Sequence, residues 1–247
     1  MNLRYAIVVV ILGAGACTPA PETEVDAKGT APAASAPLPA CSAVEASDAG
    51  VDGWKHPDCQ LNGTAPAQPR IEIRYAGAED DSTEVAARVI GPDGAVIQEI
   101  IERMGNTFNG PSLQDVDADG LTDILLPLET GNVNTTFALW RQTASGRFVR
   151  AGELNGVAIE KTPSGFIAVQ GRSSAAEYYV DFYRLQADAL SLVSTTRIAA
   201  IIEDDDSPGL DCTSESPAGV EPSAFGLSDP CSEPVVRRMA KDMGLIP

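Results

Sequence analysis

The stretch Asp115-Val-Asp-Ala-Asp-Gly-Leu-Thr-Asp123 places four carboxylates at positions 1, 3, 5 and 9 of one short segment. Gly120 at position 6 permits a sharp backbone bend that turns these side chains toward one point. Ca²⁺ binds about 6–8 oxygens at about 2.3–2.6 Å, and such a turn supplies most of them. The pattern therefore predicts a Ca²⁺ site with these ligands: the side chains of Asp115, Asp117, Asp119 and Asp123, and the carbonyl of Leu121.

The residues around this loop argue against an EF-hand. Position 12 is Leu126, where an EF-hand requires a bidentate Glu. Ile124-Leu-Leu126 instead begins a predicted strand that ends at Pro127. With Phe108-Asn-Gly110 upstream, the loop resembles the calcium-binding turn of FG-GAP and VCBS repeat proteins. The resemblance implies a loop that joins two strands of a β-propeller blade or related sheet. Leu126 at position 12 and the strands on both sides argue for an ion that braces the fold permanently.

Short strands separated by Gly and Pro turns are predicted on both sides of the loop. Residues 70–75 alternate apolar and charged side chains, which is the pattern of a half-buried strand. Residues 84–90 and 95–101 flank Gly91-Pro-Asp-Gly94, which predicts a β-hairpin. Further strands are predicted at residues 135–141, 147–151, 157–161, 166–170, 177–185 and 190–202. The pattern predicts an all-β fold, a propeller-like or sandwich sheet stack of short antiparallel strands.

The C-terminal part of the chain is acidic and rich in proline. Residues 198–236 contain no Lys or Arg, and their prolines predict irregular structure. Asp204-Asp-Asp-Ser-Pro-Gly209 is not a second calcium loop, because Pro208 replaces a ligand. One short C-terminal helix is predicted, with Ser232 as its cap and Gly244 at its end.

The N-terminus has the features of an export signal. Residues 1–16 combine a basic residue, a short apolar run and small residues just before Cys17. The segment resembles a bacterial lipoprotein signal, which implies lipidation of Cys17 and an outer-membrane lipoprotein facing the periplasm or the cell surface. Cleavage after Ala16 without lipidation is the alternative and would give a periplasmic or secreted protein. The Pro/Ala-rich residues 17–40 predict an extended tether.

One β-rich domain is predicted to follow over residues 41–247. In an exported chain, its four cysteines predict two disulfides. Three pairings are possible, and we predict the local ones, Cys41–Cys59 and Cys212–Cys231. They would tie down an opening loop at residues 41–69 and an acidic extension at residues 203–247. A zinc site is disfavoured, because His56 is the only histidine and no CxxC occurs.

The composition narrows the class of partner. The 247 residues contain 35 acidic and 17 basic side chains, a formal net charge of −18. Such a field opposes binding to nucleic acid and to anionic lipid heads, and it favours cations and basic proteins. Membrane contact is therefore expected only through the lipid anchor. The sequence has no Gly-x-Ser-x-Gly elbow, no HExxH and no phosphate-binding glycine loop, so no catalytic residue is assigned.

The order of motifs after the acidic loop carries a second resemblance. Gly131-Asn132, a strand ending in Trp140, and Gly146-Arg-Phe148 are similar to a group of bacterial periplasmic proteins. Some of that group are inhibitors or immunity proteins against lysozyme-like toxins. The resemblance implies a protein that binds a partner, in its sharpest form a basic lysozyme-like enzyme. The alternatives are a structural or adhesion module of the envelope and a glycan-active hydrolase.

Overall fold

The computed structural model describes residues 37–63, 69–77, 82–202 and 208–246. The predicted signal peptide, Cys17 and the tether up to residue 36 lie outside these residues, as does the acidic run at residues 204–206. From Pro37 onward the described residues form one unit. Their fold is all-β with one α-helix, α1 (Pro234–Asp242), at the C-terminal end. The predicted all-β class and C-terminal helix are confirmed.

The strands follow one another along the chain with short connections. In chain order they are β1 (Ser47–Asp48), β2 (Trp54–Lys55), β3 (Cys59–Asn62), β4 (Arg70–Gly77), β5 (Thr83–Ile90), β6 (Val96–Met104), β7 (Ser112–Gln114), β8 (Asp123–Thr130), β9 (Thr135–Gln142), β10 (Phe148–Gly156), β11 (Ala158–Lys161), β12 (Ile167–Arg172), β13 (Glu177–Gln186), β14 (Ala189–Ile202) and β15 (Pro208–Glu215).

These strands form three antiparallel sheets and a separate β1–β2 ribbon. The first sheet has the order β3-β4-β5-β6, the central sheet β10-β9-β8-β7, and the third sheet β11-β12-β13-β14-β15. Each sheet therefore uses consecutive strands, so its ladders are closed by hairpins rather than by long crossovers. The orders are linear, and no sheet among the described residues closes into a barrel.

The central sheet is buried on both faces. Leu126 and Ala138 pack with the first sheet, whereas Leu125 and Leu139 pack with the third sheet. Successive residues of a strand point to opposite faces, so the run Ile124-Leu-Leu126 supplies both layers. The apolar run before Pro127 is thus explained by burial on two sides.

The third sheet is covered on its other face by α1. Phe182 and Val180 of β13 belong to the same buried cluster as Val236 and Ala240 of the helix. The disulfide Cys212–Cys231, with a Cα–Cα distance of 6.1 Å, links β15 to the turn before the helix. The disulfide Cys41–Cys59, with a Cα–Cα distance of 4.9 Å, links the N-terminal segment to β3. Both predicted disulfide pairings are confirmed.

Four strands lie where irregular structure was expected: β1, β2 and β3 in the opening loop and β15 in the acidic C-terminal part. β3 pairs with β4 inside the opening loop, so regular structure begins before Arg70. β15 pairs with β14 in the acidic C-terminal part. Pro208 is the first residue of β15, a position at which the missing proline N–H costs little. The prolines therefore limit where this strand begins and do not prevent it.

Two predicted boundaries of regular structure were also wrong, the end of β8 at Pro127 and the start of α1 at Ser232. β8 continues past Pro127 to Thr130, and the ladder with β9 shifts register between Pro127 and Glu129. A bulge next to the proline absorbs its missing N–H. Ser232 does not cap α1: the residue before the helix is Glu233, which makes no side-chain capping bond, and the Ser232 hydroxyl donates to the Asp229 carboxylate.

Candidate functional site

The acidic loop connects β7 to β8 in the central sheet. Asp115 follows the last residue of β7, and Asp123 is the first residue of β8. Gly120 has φ 87°, and Ala118, which is not a glycine, has φ 55°. The backbone therefore enters the left-handed region twice within three residues, and this tight winding returns the chain to the point where it began.

Three of the five predicted ligands come together in this loop. Asp115, Asp117 and Asp123 each offer a carboxylate oxygen, and these oxygens lie within 4.8 Å of one another. Three carboxylates are hard oxygen donors, and closely spaced like charges are costly without a cation. The donor set therefore fits a hard divalent cation such as Ca²⁺.

Backbone N–H groups hold the carboxylates in this arrangement. The two oxygens of Asp115 accept bonds from the N–H groups of Asp119 and Gly120, at 3.1 and 3.0 Å. The Leu121 N–H donates to the Asp119 carboxylate at 2.8 Å. A carboxylate oxygen has more than one acceptor position, so these bonds orient the groups and leave capacity for a cation.

Asp123 is the buried member of the cluster. Its side chain is fully buried and accepts N–H bonds from Val116, at 3.1 Å, and from Gln142 of β9, at 2.9 Å. Burial raises the pKa of Asp123 to about 6, the two backbone bonds oppose this shift, and the charges of Asp117 and Asp119 add to it. Asp123 thus links the loop to β9, and its buried position disfavours the ionised form of its carboxyl group.

This burial predicts a pH dependence of the calcium-free protein. Folded Asp123 holds its proton up to about pH 6, whereas the unfolded chain releases it near pH 4. Because the native state binds the proton more tightly between these values, the free energy of unfolding should increase as the pH falls from 7 to 4. Urea unfolding of the calcium-depleted wild type and of Asp123→Asn at pH 5 and pH 7 measures this. Equal pH dependence in both proteins would contradict it.

Arg141 of β9 is a partner of the loop that sequence reasoning missed. Its Nε donates to the Asp117 Oδ2 at 2.7 Å, and its Nη2 donates to the Asp119 Oδ2 at 2.8 Å. Its Nη1 donates to the Asp188 Oδ1, in the β13–β14 turn, at 2.7 Å. Lys161 of β11 adds a bond from its ammonium to the Asp117 carbonyl. Asp117 therefore belongs to the carboxylate cluster and also pairs with Arg141, whereas Asp119 pairs with Arg141 and is not part of the cluster.

The single histidine lies far along the chain from this loop. His56 Nε2 donates to the Thr107 carbonyl at 2.8 Å, and its ring stacks on Tyr75 with centroids 5.1 Å apart. It sits in an open groove of about 360 Å³ that also borders Trp54 and Phe108. These contacts give His56 a local packing role between the opening segment and the first sheet.

Comparisons with known proteins give little beyond the residues themselves. No protein family and no curated protein matches this chain. Among solved structures it is similar to a Xanthomonas Type IV secretion system related protein, with 10% sequence identity and a TM-score of 0.43. That similarity covers 71% of this chain and 99% of that one. In the part of the chain that the structure describes, no helix has the length and apolar character required to cross a membrane.

Proposed function

We propose that this chain is an exported protein of the bacterial cell envelope whose β-domain is braced by one Ca²⁺ and acts by binding a protein partner. The sharpest form of the proposal is inhibition of a basic, lysozyme-like enzyme. The observation that carries the calcium-braced domain is the convergence of Asp115, Asp117 and Asp123 at the start of β8. Anchoring through a lipid on Cys17 would hold the protein at the outer membrane.

In this proposal the ion joins the loop to the central sheet. Asp115, Asp117 and Asp123 would hold Ca²⁺, and Asp119 and the Leu121 carbonyl would complete its ligands. Bound Ca²⁺ supplies positive charge that allows Asp123 to ionise where it is buried. The loop would then be fixed to β8 and, through the Asp123 bond to Gln142, to β9. The three stacked sheets would correspond to the blades of a propeller-like arrangement.

The charge of the chain supports a basic partner. A formal net charge of −18 would attract a basic enzyme and accelerate its encounter with this protein. Nucleic acid is disfavoured by the same field. The resemblance of the motifs after the loop to periplasmic inhibitor and immunity proteins points to muramidases as the partner class.

A muramidase panel tests the inhibitory role. The mature chain, with Cys17→Ser to keep it free of lipid, is expected to inhibit at least one lysozyme-type enzyme, and added salt should weaken the association. Turnover of cell-wall substrate with and without the protein is the measurement. If no enzyme of the panel is inhibited while Ca²⁺ still stabilises the protein, the second candidate, a calcium-stabilised structural or adhesion module, replaces the inhibitor.

A further inference from the structure

The end of the sheet stack opposite the acidic loop is built from several loops. β8 begins at the acidic loop with Asp123 and ends at Thr130, so its two ends lie roughly 23 Å apart at about 3.3 Å per residue. The loops at the far end are residues 50–54, 105–109, 130–134, 155–157 and 172–175, and we call them the loop rim. The calcium site and the loop rim are therefore separate surfaces.

Hydrogen bonds between side chains join the loops of the rim around the end of β8. The Thr130 hydroxyl lies 2.7 Å from that of Thr107 and 3.0 Å from that of Thr135. Asn109 Nδ2 donates to the hydroxyls of both Thr130 and Thr135, at 3.2 and 2.8 Å. The β6–β7 connection and the β8–β9 turn are thus held together by one network.

Tyr179 extends this network to the third sheet. Its hydroxyl accepts from Asn134 Nδ2 at 3.1 Å and donates to the Asn155 carbonyl at 3.0 Å. A Cβ on Gly171 would lie 2.1 Å from its ring, so glycine is required where the ring crosses β12. Asn134 also exchanges two bonds with the Arg172 backbone, each of 3.0 Å. The β6–β7 connection, the β8–β9 turn, Asn155 and Arg172 are therefore linked to one another, which lowers the entropy cost of binding a partner there.

The rim exposes large apolar side chains in spite of this order. Phe108 is 52% exposed, Val133 is 45% exposed and Val157 is 52% exposed. They come from three different loops, and Trp54 packs edge-on against Phe108 at 5.7 Å. Exposed apolar residues on a fixed surface with a polar surround are typical of protein interaction sites.

Two further features, an open groove and exposed carboxylates beside it, indicate the class of partner that the rim would bind. Beside Val133 lies an open groove of about 680 Å³, bordered by polar residues that include Asn132, Asn155 and Ser173. Glu129 and Arg172 are the charged residues that line this groove. Glu129 is exposed and makes no ion pair with any described residue, whereas the Arg172 guanidinium lies over the Tyr178 ring at 4.7 Å and donates to the Ala175 carbonyl at 3.0 Å. Glu45, which lines the groove shared by His56 and Phe108, is likewise exposed and makes no ion pair with any described residue. Unpaired carboxylates around apolar contacts favour a partner that carries basic groups.

We propose that the loop rim is the docking surface for a basic protein partner, with Phe108, Val133 and Val157 as its apolar contacts and with Glu129 and Glu45, which lie beside the rim, as the charged contacts. This inference rests on the proposed function and names the surface through which it would operate. The calcium loop, at the opposite end of β8, would stabilise the sheet that carries the rim without touching the partner.

A matched pair of double variants tests the rim. Phe108→Ser with Val157→Ser removes two rim contacts, and Val96→Ser with Ile101→Ser removes two residues of equal exposure, 53% and 54%, from β6 on the first sheet. Affinity for a muramidase that the wild type inhibits is measured by titration calorimetry. The rim variant should bind roughly 30-fold more weakly or worse, and the β6 variant within about 2-fold of wild type. The melting temperature of each variant verifies folding.

Hydrogen exchange gives an independent measurement on the unmodified chain. Backbone amides of residues 105–109, 130–134 and 155–157 should exchange more slowly when the muramidase is bound. Protection on β6 instead of the rim, or equal affinity of the two double variants, would overturn the docking surface and leave the inhibitory function standing. If no basic muramidase binds the wild type, the docking surface and the inhibitory function both fail.

Discussion

Replacing Phe182 by alanine is expected to lower the free energy of unfolding by about 3–5 kcal/mol. Phe182 is fully buried at the centre of β13, and its ring meets that of Phe166 edge-on at 6.0 Å. The substitution opens a cavity between the third sheet and α1, in the buried cluster that Phe182 shares with Val236 and Ala240. Urea unfolding of the two proteins measures the difference.

Phe108→Ala is the matched control for this prediction. The same atoms are removed, but Phe108 is 52% exposed, so the free energy of unfolding should fall by less than about 1 kcal/mol. The two variants together separate the core from the loop rim, because Phe108→Ala should weaken partner binding while it leaves stability near wild type. Similar destabilisation by both substitutions would contradict the assignment of Phe182 to a packed layer.

Removing the Cys212–Cys231 disulfide should cost about 3 kcal/mol, since it closes a loop with a sequence separation of 19 residues. The replacement is Cys212→Ser with Cys231→Ser. The loss has a specific location: β15 is the last strand of the third sheet, and Cys231 lies just before the helix that covers this sheet. Without the bond, the helix should open more often than the rest of the domain.

The second disulfide provides the comparison. Cys41–Cys59 has a sequence separation of 18 residues, so its chain-entropy contribution is nearly the same. Its removal should instead increase hydrogen exchange in the opening segment and around Trp54, beside the groove that contains His56. If both double variants loosened the same amides, the two bonds would not hold separate regions, and this account of the disulfides would be wrong.

Local sequence patterns predict the strands whose side chains alternate over several residues. Ile71, Ile73 and Tyr75 lie on one side of β4, and Gly91-Pro-Asp-Gly94 separates β5 from β6. β3 has only four residues, too few for an alternation to stand out. β15 lies in an acidic, proline-rich part, and its pairing with β14 depends on contacts that no local pattern encodes. Tertiary pairing outweighed local propensity at both strands.

The candidate site also combines a local motif, which the sequence predicts, with tertiary contacts, which it does not. The spacing of the aspartates and Gly120 lies within nine residues, so the sequence alone predicts a turn in which carboxylates meet. Arg141 and Lys161 come from β9 and β11, and only the assembled sheets bring them to Asp117. The loop rim was not predicted for this reason as well: Phe108, Val133 and Val157 are far apart in the chain and carry no shared motif.

Calcium binding by the acidic loop should stabilise the whole domain. The melting temperature of the wild type should rise with Ca²⁺ concentration, by roughly 5–10 °C at about 100 times the dissociation constant. Asp115→Asn with Asp117→Asn should abolish the rise. Asp211→Asn, which changes an exposed acid on β15, should retain it.

The most direct measurement is therefore the melting temperature in Ca²⁺ and in EDTA, combined with elemental analysis of the purified protein. We expect about one Ca²⁺ per chain and a lower melting temperature in EDTA. A melting curve that is the same in Ca²⁺ and in EDTA, from a protein without bound metal, would contradict this expectation.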